Sequence, residues 1–235
     1  MTVQFGLVAR SAHGPTLKNK YDSTKSPDLF NVIKAYEEFI SKAGSISFDL
    51  SDDDSIREAV TQLTVAVNEY RNIALPILES RKNAGQENLR SSILEEFFQI
   101  LVYPLISSFY SKHSDSLVLG KANSYVSMTF TPRSFENLFT DPTPQIHTKD
   151  QDFVLGCIIN IGTWPIGVSK LDEVKVSQAV IPVIAIECKT YIERNMLDSC
   201  SGTARRLKHA MPYCLYIVAS EYMKMDCAYP ELSDI

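Results

Sequence analysis

The residues best suited to chemistry stand at the end of an apolar run, where Val180 to Ile186 leads into Glu187-Cys188-Lys189. A run this rich in β-branched residues predicts a buried strand. Because strand side chains alternate between faces, we expect Glu187 and Lys189 on one face and Cys188 on the other. A carboxylate and an ammonium side by side at a strand end suit the handling of phosphate groups and metal ions.

An acid, any residue and a lysine is a frequent pattern, so this triplet needs support from elsewhere in the chain. Glu173-Val174-Lys175 is a second example. It lies in a polar stretch with no buried strand before it, and we interpret it as solvated loop.

Support comes from an earlier strand that begins with carboxylates, Asp150-Gln151-Asp152-Phe153. If it pairs with the later strand as an antiparallel hairpin, Asp152 lies beside Glu187 and Lys189. Two close carboxylates repel each other, and a hard divalent cation such as Mg²⁺ relieves that repulsion. The sequence therefore predicts a cation site beside a lysine.

Helices are predicted before these strands. Ser26-Pro27 begins a first helix that stops at Gly44, and Ser55-x-x-Glu58 and Ser92-x-x-Glu95 read as capping boxes that begin two more. Pro76 is expected to kink or end the second helix.

From Leu117 the period becomes strand-like. The predicted elements are three strands, a helix and a last strand: Tyr125–Phe130, Phe153–Ile161, Val180–Lys189, Asn195–Lys208 and Tyr213–Ala219. The stretches Thr131–Thr148 and Gly162–Gln178 are predicted loops. We expect an α/β fold, a mixed sheet flanked by helices, with an N-terminal helical region (1–88) and a core (89–235) that form one compact domain.

Composition excludes several classes of protein. The chain of 235 residues is 45% hydrophobic and 22% charged, as in folded proteins, and no apolar run approaches a membrane span, so we expect a cytoplasmic protein without a membrane partner. A net charge of −5 disfavours nonspecific coating of nucleic acid but not a DNA enzyme. The five cysteines contain no C-x-x-C pair and the four histidines show no ligand spacing, so zinc and covalent catalysis are not expected.

These residues together resemble the PD-(D/E)XK nucleases. The chain is also similar, over about Leu89 to Ala219, to type II restriction endonucleases of the BbvCI kind, which cut interrupted CCTNAGC-type sites. Three stretches carry this similarity: Ser92–Phe97, Lys149–Phe153 and Glu187–Thr190. The resemblance implies a restriction-endonuclease-like sheet and Mg²⁺-dependent hydrolysis of DNA. One departure is Gln151 in place of the usual proline, which leaves Asp150 as a rival to Asp152.

The resemblance also implies residue roles. Asp152, Glu187 and the backbone carbonyl of Cys188 would hold Mg²⁺, and Lys189 would orient or help deprotonate the attacking water. Glu95, at the edge of an apolar helix stripe, is a candidate further ligand, although a glutamate there can equally serve a capping box. We expect Glu96 on the solvent side.

The implied partner is double-stranded DNA, cut by a homodimer or by a heterodimer with a related subunit. Lys121, Arg133 and Lys149 can touch the DNA backbone, but the sequence does not distinguish them from surface charge, and base-reading residues cannot be picked out. Two alternatives stay open. One is a structure-specific repair or junction nuclease of the same fold; the other is a DNA-binding module without catalysis.

Overall fold

The computed structural model describes residues 13–80, 89–113, 115–164 and 174–226, without the side chains of residues 108–110. Predictions about the start of the chain, Glu173, Cys227 and most of the loop after Gly162 lie outside this part. The elements are, in chain order: α1 (His13–Thr24), α2 (Pro27–Ser45), α3 (Asp53–Ser80), α4 (Ser91–His113), β1 (Leu117–Phe130), α5 (Asn137–Thr140), β2 (Pro144–Thr163), β3 (Lys175–Ile192), α6 (Arg194–Ala210) and β4 (Leu215–Met223).

The helical region is more extensive than its sequence signals. Helix α1 was missed because it buries few apolar side chains and has little helical periodicity. Helix α3 continues past Pro76 to Ser80, since Ala74 and Leu78 on either side of the proline are buried and their packing outweighs one missing hydrogen bond.

Both predicted capping boxes are wrong. Asp52 precedes α3, and its carboxylate accepts the backbone N–H groups of Asp54 and Ser55. Ser92 lies inside α4, where its hydroxyl contacts Nδ1 of His13 at 2.8 Å. Neither Ser55 nor Ser92 is the residue that precedes its helix. Asp52 takes that position for α3, and the hydroxyl of Ser92 contacts His13 instead of capping α4.

The strands form a mixed four-stranded sheet in the order β1-β2-β3-β4. The pairs β1–β2 and β2–β3 are antiparallel, and β3–β4 is parallel. This confirms the predicted sheet and its flanking helices. Strands β1 and β2 are both longer than the predicted strands, and β2 starts at Pro144 inside the expected loop. The polar residues of this arm pair across the ladder without an apolar pattern that the sequence could display.

Helix α4 lies between the helical region and the sheet. Ile93 on one of its sides, with Leu89 just before the helix, joins the core of α1–α3. Another side, including Leu94 and Phe98, packs on Phe153 of the sheet. The boundary predicted at 88/89 stays a prediction. No helix among the described residues is long and apolar enough to cross a membrane.

Candidate active site

The register of β2 against β3 brings the two predicted motifs together. Phe153 pairs with Ile186, so the next position along the antiparallel ladder sets Asp152 beside Glu187. The backbone N–H of Cys188 donates to Oδ2 of Asp152 at 2.8 Å. The hairpin predicted from the sequence is therefore present, with Asp152 at the end where Glu187 and Lys189 lie.

Lys189 lies next to Glu187 on the same face, as strand alternation predicts. Its Nζ donates to Oε1 of Glu187 at 2.6 Å. Burial lowers the pKa of the ammonium, but the hydrogen bond to Glu187 and the nearby charges of Glu187 and Asp152 together raise it above its ordinary value. Lys189 is thus held in its charged form.

Glu95 reaches the same place from helix α4. It is only 4% exposed, and burial, then the charge of Asp152, raises its pKa to about 7, while Lys121 opposes the shift. The pKa of Asp152 is also raised, first by burial, against the hydrogen bond from Cys188. A buried carboxylate, Glu95, and a half-buried one, Asp152, therefore line the same cleft.

The prediction that Glu96 faces solvent is wrong. Its side chain is buried and accepts hydrogen bonds from the Tyr36 hydroxyl at 2.7 Å and the Gly14 N–H at 3.0 Å. The reason is that α4 packs against the helical region as well as against the sheet. The dense apolar run after Glu96 signals a helix that is covered on several sides.

The structure separates Asp150 from Asp152. The Asp150 side chain is 60% exposed, and its Oδ2 lies 3.8 Å from Nζ of Lys121. Gln151, where the resembled pattern has proline, is buried, and its amide donates to the Asp150 carbonyl. Asp152, rather than Asp150, faces the Glu187 strand.

These groups line a cleft of about 250 Å³: Ser91, Glu95, Lys121, Asp152, Cys188, Lys189, Thr190, Tyr191 and Met196. Glu187 lines an adjoining cleft of about 240 Å³ together with Lys149 and residues of α6. Lys189 and Met196 border both clefts, so the two clefts adjoin each other. Of the basic residues left undecided by the sequence, Lys121 and Lys149 border these clefts.

The donor set fits a hard divalent cation. Within residues 13–80, 89–113, 115–164 and 174–226, no three side chains of His, Cys, Asp or Glu form a ready-made metal cluster. Mg²⁺ is commonly held by one or two carboxylates completed by substrate phosphates. Asp152 and Glu95, which line one cleft, supply such a pair, and burial, the main cause of their raised pKa values, leaves charged forms that a cation would stabilise.

Residues 86–235 match the family model of the Bpu10I restriction endonuclease. The chain belongs to the Bpu10I restriction endonuclease family. It is therefore a type II restriction endonuclease or a subunit of one, a hydrolase that cleaves DNA. No curated protein matches the chain.

The fold agrees with this membership. A solved structure described as native BbvCI A2B2 tetramer at low resolution superposes with a TM-score of 0.63 and 19% sequence identity, over 92% of this chain and 75% of that chain. At this identity the likeness shows a shared fold. The predicted resemblance to restriction endonucleases of the BbvCI kind is confirmed.

The Bpu10I family match covers every predicted site residue. Sequence reasoning did not single out Lys121, which shares the cleft with Glu95 and Asp152. Cys188 points to the opposite face, as strand alternation predicts, and its thiol is buried in the core with Phe153, where burial raises the thiol pKa. Only the tertiary register reveals the position of Lys121.

Proposed function

We propose that this chain cleaves double-stranded DNA at a specific site with Mg²⁺, in the manner of the PD-(D/E)XK nucleases. The observation that carries the proposal is the contact between Asp152 and the backbone of Cys188, which fixes the acid of β2 beside the Glu-x-Lys end of β3. Glu95 adds an acid from α4 in the cleft that Asp152 lines, while Glu187 lines the adjoining cleft.

Asp152, Glu95 and Glu187 would hold the cation, together with the backbone carbonyl of Cys188. In an antiparallel ladder the N–H and C=O of one residue face the same neighbouring strand, so the carbonyl is expected on the side of Asp152. Bound Mg²⁺ lowers the pKa of its water and offsets charge on the reacting phosphate.

Lys189 has a different part. Its raised pKa favours the ammonium, so it suits holding the attacking water and the phosphate in place better than removing a proton. Glu187 fixes the position of this ammonium through the 2.6 Å hydrogen bond. Burial of the acids makes each such charge interaction stronger than it would be in water.

We further propose that the chain works with a second subunit, as a homodimer or with a related chain. The A2B2 assembly named for the BbvCI structure supports this, since it pairs two kinds of subunit. One subunit cutting one strand would nick DNA, and two would make a double-strand break.

The test is supercoiled plasmid incubated with the protein and Mg²⁺, beside an EDTA control and a Lys189→Met variant. Discrete linear fragments, lost in both controls, are expected from a complete enzyme, and nicks at one defined sequence from a lone subunit of a heteromer. Lys34→Met is the matched control, because it removes an exposed charge on α2 outside the clefts. Cleavage that persists in EDTA or in Lys189→Met would overturn the proposal.

The same assay tests a structure-specific nuclease of this fold. Such an enzyme would cut branched DNA and leave a linear duplex without discrete bands. The membership of the Bpu10I restriction endonuclease family favours sequence-specific cutting.

A further inference from the structure

Lys121 lies at an irregularity in the pairing of β1 with β2. Gly120 pairs with Val154 and Ala122 with Gln151, so Asp152 and Phe153 on β2 together oppose Lys121 alone. This is a β-bulge, a device that redirects side chains next to functional sites. Gly120, with φ 119°, takes a backbone conformation that other residues rarely adopt.

The bulge sets a second ammonium beside the acids. Lys121 lines the cleft with Glu95, Asp152 and Lys189. Its side chain is 30% exposed, and its Nζ lies 3.8 Å from Asp150. That pair is looser than the 2.6 Å pair of Lys189 with Glu187. The ammonium of Lys121 can therefore leave the Asp150 carboxylate for another anion more easily than the ammonium of Lys189 can leave Glu187.

The two lysines lie on either side of Asp152 in the strand order. Lys121 is on β1, Asp152 on β2 and Lys189 on β3, in that order across the sheet. At Asp152, β2 lies between β1 and β3, which pair directly with each other elsewhere, at Ser124 and Val180. A single phosphate held by Lys189 beside Glu187 leaves Lys121 to meet a different group of the same anionic strand.

We propose that Lys121 binds a DNA phosphate next to the one that is cleaved, which rests on the proposed function of the cleft. The contact offsets the repulsion between the DNA backbone and the three acids of the site. Because a neighbouring phosphate does not change during the reaction, the contact strengthens substrate binding and leaves the chemical step unchanged.

The first experiment measures binding by fluorescence anisotropy. The probe is a duplex that carries the cut site mapped on plasmid, in EDTA buffer over a series of salt concentrations. We expect Lys121→Met to weaken binding about tenfold and to reduce the slope of log affinity against log salt by about one phosphate contact. Lys121→Arg should restore binding, and Lys34→Met should match the wild type. Thermal melting in the same buffer establishes that each variant is folded.

Cleavage kinetics and a variant of opposite sign complete the test. With Mg²⁺, Lys121→Met should raise KM about tenfold with kcat nearly unchanged. Asp150→Asn should bind the duplex at least as tightly as the wild type, because it removes a negative charge beside the phosphate.

Three results would overturn the proposal. The first is an unchanged salt slope in Lys121→Met. The second is weakened DNA binding in Asp150→Asn, which would indicate that only the ion pair between Asp150 and Lys121 matters. The third is a large loss of kcat in Lys121→Met at constant KM. Failure of the proposed function looks different, because Lys189→Met would then still cut DNA whatever Lys121 does.

Discussion

Replacing Glu95 with glutamine is expected to stabilise the metal-free protein while impairing its function. Glu95 is 4% exposed, and burial together with the charge of Asp152 raises its pKa from 4.5 to about 7. The folded protein therefore keeps a proton on this carboxyl that the unfolded chain releases between about pH 4.5 and 7. The protonated Glu95 carboxyl therefore contributes to the free energy of unfolding at low pH, and this contribution is lost as the pH rises through about 7.

The size of the effect follows from that interval. A span from 4.5 to about 7 corresponds to on the order of 3 kcal/mol of unfolding free energy. Glutamine has nearly the same shape and carries no charge, so at pH 8 Glu95→Gln should recover most of it. For a protein of this size that is a rise in melting temperature of about 6 to 12 °C. Toward pH 5 the two proteins should converge.

The assay is thermal unfolding in EDTA from pH 5 to pH 8. Glu37→Gln, an exposed position on α2, is the matched control and should follow the wild type throughout. In cleavage assays with Mg²⁺ we expect Glu95→Gln to be the less active protein, because it lacks a proposed cation ligand and should lose most of the cleavage rate. The reasoning is refuted if Glu95→Gln melts no higher than the wild type at pH 8, or if its advantage grows as the pH falls.

Three further predictions concern stability and reactivity. Glu96→Ala leaves the buried Gly14 N–H and the half-buried Tyr36 hydroxyl without their acceptor and should cost about 2 to 4 kcal/mol in urea unfolding; wild-type stability would show that α1 is not anchored through this carboxylate. Gly156→Ala should cost about 2 kcal/mol or more, because its Cβ would overlap a backbone carbonyl of β3, and an unchanged midpoint would contradict that register. The Cys188 thiol should resist a disulfide reagent until the protein unfolds, so that labelling of the native protein would contradict its burial.

The pairing of β2 with β3, which brings the site residues together, could be predicted because it depends on local sequence patterns. Alternating side chains placed Glu187 and Lys189 together, and the antiparallel register then brought Asp152 to them. Such pairing depends on strand period and loop length, both of which a sequence displays.

Other parts depend on contacts that no local pattern encodes. Glu96 was placed in solvent because helical spacing shows one apolar stripe, whereas α4 packs on two sides. Lys121 gained significance only from a bulge that sets two residues of β2 against one of β1. Helix α1 is held by polar contacts of His13 and Gly14 together with the buried Leu17, and it has no continuous apolar face.

The central claim is that Asp152, and not its neighbour Asp150, is the carboxylate of β2 that serves cleavage. The most direct measurement compares the Mg²⁺-dependent cleavage rates of Asp152→Asn and Asp150→Asn on the same mapped duplex, with folding checked by thermal melting. We expect Asp152→Asn to lose about a thousandfold or more in rate and Asp150→Asn to stay close to the wild type. An active Asp152→Asn together with an inactive Asp150→Asn would contradict the site described for this chain.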